Sequence, residues 1–90
     1  MKLERPVTIV NKLGLHARAA TKLVELANMH TAEITLVHGD NEAPANSVLA
    51  LMMLESSQGK TVNIICEGKD AESAMAAVVS LIENKFNEDE

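Results

Sequence analysis

Apolar and polar positions along this 90-residue chain follow two rhythms, one of strands and one of helices. Over 4–10 the period is two, with Val7 and Ile9 on one side and Thr8 on the other, which predicts a strand. Asn11-Lys12-Leu13-Gly14-Leu15 reads as a loop. Over 17–28 the period lengthens. Ala20, Leu23, Val24 and Ala27 stand at i, i+3, i+4 and i+7, which predicts a helix with one buried stripe. A second strand is predicted over 33–38, with Ile34 and Leu36 inward. Gly39-Asp40-Asn41 makes a turn, so that a short strand near 42–45 returns antiparallel. Asn46-Ser47 offers an N-cap to a short helix running to Leu54. After a loop over 56–59, Val62, Ile64 and Cys66 alternate in a strand over 60–67. Asp70 is the expected cap of a last helix over 71–86, whose inner stripe is Ala71, Met75, Val78 and Ile82.

The order β-α-β-β-α-β-α predicts an α+β fold in which helices cover one face of an antiparallel sheet. It leaves the strand order open, because a ferredoxin-like split arrangement has the same succession of elements. There is no linker, repeat or low-complexity stretch, so residues 1–90 read as a single domain. Its short acidic tail, Asn87-Glu88-Asp89-Glu90, is expected to fray.

Composition narrows the function. Phe86 is the sole aromatic residue, so the core must be built from Leu, Ile, Val, Ala and Met, and the usual stacking platforms for bases are missing. The formal charge is −5 and the eight Lys and Arg residues are scattered, which argues against nucleic acid. No apolar run approaches the roughly 20 residues that span a bilayer, so no membrane insertion is expected. Met1-Lys2-Leu3-Glu4-Arg5 lacks the apolar core of a secretion signal. The single Cys66 cannot form an internal disulfide, which fits a reducing cytoplasm.

The chemistry concentrates at Gly14-Leu15-His16-Ala17-Arg18, between the first strand and the first helix. His16 falls at the N-cap, facing the unpaired N–H groups of the first turn, Ala17 and Arg18 among them. Those groups and the positive end of the helix dipole favour an anion. Arg18 adds a planar, permanently charged phosphate donor. Gly14 lets the backbone bend or approach a ligand closely. A neutral imidazole has a free lone pair and can act as a nucleophile. The competing reading of His16 is a capping or surface histidine, and short His-x-Arg matches are common enough to keep it open.

A second feature is Ser47 followed by seven apolar residues, Val48-Leu49-Ala50-Leu51-Met52-Met53-Leu54. They cannot all face one side of a helix. Either some stay exposed as a methionine-rich docking patch, or neighbouring loops cover the second face. With Ala50, Leu51 and Leu54 inward, Val48, Leu49 and Met52 are left near the rim, beside the outward Thr21, Lys22 and Glu25 of the first helix. The remaining candidates are weaker. His30 and His38 are isolated from metal-ligand partners and read as surface residues, and Cys66 reads as a small buried hydrophobe. Asp40, Glu42, Asp70 and Glu72 read as turn and cap residues. No metal or cofactor is called for, and glycine-rich nucleotide loops are absent from the sequence.

Two segments carry a family resemblance. Asn11-Lys12-Leu13-Gly14-Leu15-His16-Ala17-Arg18 resembles the phosphohistidine segment of the HPr family, the phosphocarriers of the phosphoenolpyruvate-dependent phosphotransferase system. Ala45-Asn46-Ser47-Val48-Leu49-Ala50-Leu51-Met52-Met53-Leu54 resembles the family's second signature, and the two stand at the family's separation. The Asn-Lys-Leu-Gly opening, Glu25, the Asn-Ser-Val stretch and the acidic tail resemble the nitrogen-related branch more than the sugar branch.

The resemblance implies an open-faced sandwich, a four-stranded antiparallel sheet covered on one face by three helices. It implies that His16 accepts a phosphoryl group on Nδ1 from phosphorylated Enzyme I and delivers it to a histidine of an enzyme IIA-type protein. Arg18 would match the family's active-site arginine, and Ser47 the serine that a dedicated kinase modifies in some relatives. The carrier would be a cytoplasmic monomer without independent turnover. One departure stands out: Ala19 occupies a position where the family usually has proline. Alanine is a good helix former, and it adds an N–H near the anion site.

Two other classes compete. A small-molecule-binding regulatory domain of ferredoxin-like shape predicts a split β-α-β arrangement, so strand order is expected to discriminate. A histidine-dependent hydrolase would need a base or metal partner that the sequence does not display.

Overall fold

The structure is a computed structural model describing residues 1–88. Its elements are β1 (Lys2–Thr8), α1 (Ala17–Ala27), β2 (Glu33–His38), β3 (Asn41–Pro44), α2 (Val48–Met53), β4 (Thr61–Glu67) and α3 (Ala71–Glu83), followed by a 3-10 turn at Lys85–Asn87. The four strands form one sheet in the order β1-β4-β2-β3, every pair antiparallel. The register sets Val7 opposite Val62, and Leu36 opposite both Ile64 and Ala43. Because side chains alternate across a strand, Val62, Ile64 and Cys66 all turn to one face, where they are fully buried. The three helices cover that face, and Leu23, Leu51, Val78 and Ile82 complete the core. The opposite face is polar, with Thr8 beside Thr61 and Asn63 donating to Glu4. This is the open-faced sandwich expected above.

Splitting of the first β-α-β unit does not by itself separate this fold from a ferredoxin-like one. Here β4 lies between β1 and β2, whereas a ferredoxin-like sheet splits the same unit with β3. The edges are β1 and β3.

Several boundaries and environments differ from the sequence reading. Ile9 lies beyond β1, yet its N–H donates to Lys60 O and its carbonyl accepts from Gly59 N, both at 2.8 Å, so the pairing continues past the strand. The last helix stops at Glu83 rather than running to 86. Phe86 still reaches the core and is fully buried, but through a left-handed turn in which Lys85, Phe86 and Asn87 all have positive φ. Asp70 stands at the start of α3 without capping it through its side chain. Its carboxylate instead accepts from Thr31 N at 3.0 Å and Ala32 N at 2.7 Å, which ties the α1–β2 loop to α3. The Thr31 N–H first, with Ala32 and the Thr31 hydroxyl, holds the Asp70 carboxyl below its ordinary value against a smaller effect of burial.

His30 and His38 are half-buried rather than surface residues. His30 pairs with Asp70 at 3.3 Å, and His38 lies 3.0 Å from Leu54 O and 3.3 Å from Ser56 Oγ. Burial pushes the Cys66 thiol up, and the Asp70 charge adds to the effect, so this residue stays a protonated core side chain.

Candidate functional site

The loop before α1 is built to present its first residue. Gly14 has φ +66°, and a Cβ there would lie 2.5 Å from Ser56 O. The position therefore demands glycine for both conformation and space. Leu15 N donates to that same Ser56 O at 3.0 Å. The fully buried Asn11 closes the loop from inside, with Nδ2 donating to Gly14 O at 2.9 Å. The chain thus enters α1 in one fixed direction.

His16 is the N-cap of α1 in extended conformation, and its carbonyl accepts the first helical bond, from Ala20 N at 2.9 Å. Its Nδ1 accepts from Arg18 N at 3.3 Å. An amide N–H only donates, so Nδ1 carries a lone pair in the plane of the ring. Nε2 lies 2.7 Å from Glu88 Oε2. An ionised carboxylate only accepts, so Nε2 carries the proton. Both contacts thus assign the same neutral tautomer. The side chain is 26% exposed.

Around it, Ala17 and Arg18 open the helix, and Arg18 is exposed. Ala19 is fully buried and continues the helix. Glu88 accepts a second hydrogen bond, from Asn11 Nδ2 to Oε1 at 3.1 Å. Burial raises the Glu88 carboxyl, but the bonds from His16 and Asn11 and the charges of His16 and Lys22 outweigh it, and the group stays below its ordinary value. The expectation of a frayed tail fails at Glu88, which is drawn onto His16; Asp89 and Glu90 lie outside the described residues.

The other candidates are distributed as follows. Ser47 caps α2, its Oγ accepting from Ala50 N at 3.2 Å. On α2, Leu51 and Leu54 are buried and Ala50 half-buried. Val48 is half-buried, while Leu49 and Met52 are 70% and 40% exposed. Thr21 and Glu25 are exposed on α1. Lys22 departs from the expectation of a free outward residue: it is half-buried, and its ammonium donates to Phe86 O at 2.5 Å. Sequence reasoning did not single out Asn11, Glu88, or the exposed Leu13 and Met53. Asn11 and Glu88 meet across 77 positions, so no local pattern could pair them. Leu13 had a signal, as an apolar residue in a polar loop beside the histidine.

Comparison with known proteins agrees with this geometry. The family model described as "PTS HPr component phosphorylation site" matches residues 3–84. A phosphocarrier protein NPr of Shewanella violacea is 56% identical over 87 residues, 97% of this chain and 96% of that protein. A phosphocarrier protein NPr of Escherichia coli K12 is 44% identical, covering 99% of this chain and all of that one. A phosphocarrier protein HPr of Xylella fastidiosa is 42% identical over 97% of this chain and 98% of that one. The crystal structure of an HPr from Thermoanaerobacter tengcongensis superposes with a TM-score of 0.92 at 39% identity, covering 98% of this chain and 99% of that chain. With its open-faced fold and a histidine at the start of α1, this chain belongs to the HPr family of phosphotransferase-system phosphocarriers, which carry a phosphoryl group rather than catalyse turnover.

Proposed function

We propose that the chain relays a phosphoryl group through His16, accepting it from phosphorylated Enzyme I and passing it to a histidine of an enzyme IIA-type protein. The observation that carries this reading is the lone pair of His16 Nδ1 directed at the first turn of α1. In the accepting step the lone pair attacks phosphorus in line as the bond to the donor nitrogen breaks, and that bonding pair returns to the donor. The incoming oxygens replace Nδ1 as acceptor for the Arg18 N–H and gain the positive end of the helix. The exposed Arg18 guanidinium, two positions along from His16, supplies further neutralising charge. Catalysis of this kind is positioning and charge stabilisation.

The nitrogen-related branch is favoured over the sugar branch by the relative at 56% identity, which carries the NPr name. The exposed Leu49 and Met52 of α2, with the exposed Thr21 and Glu25 of α1, would form an apolar centre with a polar edge suited to transient docking. Lys22 belongs to the same helix face but acts on the C-terminal turn. Val48 is half-buried and packs against the core. Ser47, where phosphate would sit at the start of α2 beside this patch, is the proposed regulatory position, written by a serine kinase in hosts that have one. A cytoplasmic monomer suits all of these roles.

The test is incubation with phosphoenolpyruvate and Enzyme I from each branch in turn, followed by intact mass. One added phosphoryl group, gained fastest with the nitrogen-branch enzyme, is expected. Faster gain with the sugar-branch enzyme overturns the branch assignment, and gain with neither overturns the carrier reading.

A further inference from the structure

We propose that the Glu88 carboxylate is a positioning residue for the phosphoryl acceptor: it holds His16 in the Nε2–H tautomer and offsets the positive charge that the ring acquires on phosphorylation. The second half of this proposal rests on the carrier reading above; the first half does not.

The contact is built from several independent parts. Glu88 lies 72 positions from His16, yet its Oε2 is 2.7 Å from Nε2. Phe86, fully buried, anchors the turn that brings it there, and Lys22 holds the Phe86 carbonyl at 2.5 Å. Glu88 N donates to Lys85 O at 2.9 Å. Three successive residues of this turn have positive φ, which only surrounding contacts can maintain in residues with a Cβ. The second oxygen, Oε1, is fixed by Nδ2 of the buried Asn11. The Glu88 side chain is 10% exposed, so its charge acts on the ring with little screening by water.

The chemistry follows from the two edges of the imidazole. Were the proton on Nδ1, the ring would have no lone pair to offer at the start of α1. A carboxylate on Nε2 removes that alternative. When Nδ1 gives its lone pair to phosphorus, Nε2 keeps its proton, and the ring becomes an imidazolium facing Glu88. When the group is passed on, the N–P bond breaks with its electron pair returning to Nδ1, and the ring is neutral again. A carboxylate that orients a catalytic histidine and stabilises its cation has the same logic in serine hydrolases. It acts here without touching phosphorus, on the edge of the ring opposite the incoming group.

The experiment uses the full chain and its Glu88→Gln and Glu88→Ala variants. Nitrogen-15 NMR of His16 at a pH where the ring is neutral reads the tautomer, and phosphorylation by Enzyme I and phosphoenolpyruvate reads the rate. In the unsubstituted chain Nε2 is expected to be protonated and Nδ1 free. Glu88→Gln, which keeps an acceptor but loses the charge, should retain the tautomer and slow transfer by about ten-fold. Glu88→Ala should mix the tautomers and slow transfer further. An unchanged tautomer in Glu88→Ala overturns the orienting role, and an unchanged rate in both variants overturns the charge role. If the unsubstituted chain takes no phosphoryl group, the carrier reading fails, and the tautomer still decides the role of Glu88. Thermal melting confirms that each variant is folded.

Discussion

At the scale of single residues, the candidate site separates groups that shape the chain from groups left open to solvent. Gly14 and Asn11 are buried and fix the loop, whereas Arg18 is exposed. Arg18→Ala is accordingly expected to leave the melting temperature within a degree or two, as surface substitutions do, and to slow phosphorylation by roughly ten-fold or more, the loss of a charged phosphate contact. Melting curves beside stopped-time phosphorylation check both halves. The placement of His16 and Arg18 at the start of α1 was legible in the sequence because a cap and its helix are local, a few positions apart. Glu88 was not, because nothing in an acidic tail signals that a buried phenylalanine and a lysine carbonyl contact will fold it back. Lys22 was misread for the same reason: helical spacing gives its face but not a partner 64 positions away.

At the scale of elements, α2 is the sharpest case of sequence pattern reaching its limit. A run of apolar residues says that two faces exist; tertiary packing decides which is covered. Leu51 is fully buried and Leu49 is 70% exposed, so the two leucines should respond oppositely. Leu51→Ala should cost about 2–5 kcal/mol of stability, the usual range for a buried leucine. Leu49→Glu and Met52→Glu should melt normally and weaken the Enzyme I interaction by roughly ten-fold or more, since apolar anchors at the centre of an interface carry most of its energy. Rates measured against Enzyme I concentration distinguish weakened docking from slower chemistry. The end of α3 shows the same limit from the other side. Phe86 continues the apolar spacing from Ile82, so periodicity extends the helix. The chain instead breaks after Glu83 and delivers Phe86 to the core through left-handed residues.

At the scale of the whole molecule, one sheet, three helices and a small core carry the fold, and long-range polar ties supplement them. Asp70 joins the α1–β2 loop to α3, and Glu88 joins the C-terminal turn to α1. Both carboxyls titrate below their ordinary values in the folded chain. Folded values that are depressed mean stability fully present above the unfolded values of about 4 and lost as pH falls through the folded ones. Melting temperature should therefore be flat near neutrality and drop once pH falls below about 4. Asp70→Asn should lower it at neutral pH and flatten the acid limb. The element order was readable from the two periodicities, and the sheet's buried face from alternation. The strand order was not, because hydrophobic alternation records which face a strand buries and says nothing of its neighbours.

The central claim, that the lone pair at the start of α1 is the phosphoryl acceptor, has one direct measurement. The chain and its His16→Ala variant are incubated with phosphoenolpyruvate and Enzyme I, and the product is mapped by mass spectrometry under alkaline conditions that preserve phosphohistidine. One phosphoryl group on His16, absent from the variant, is the predicted result. A group on His30 or His38, or labelling that survives in His16→Ala, would contradict it.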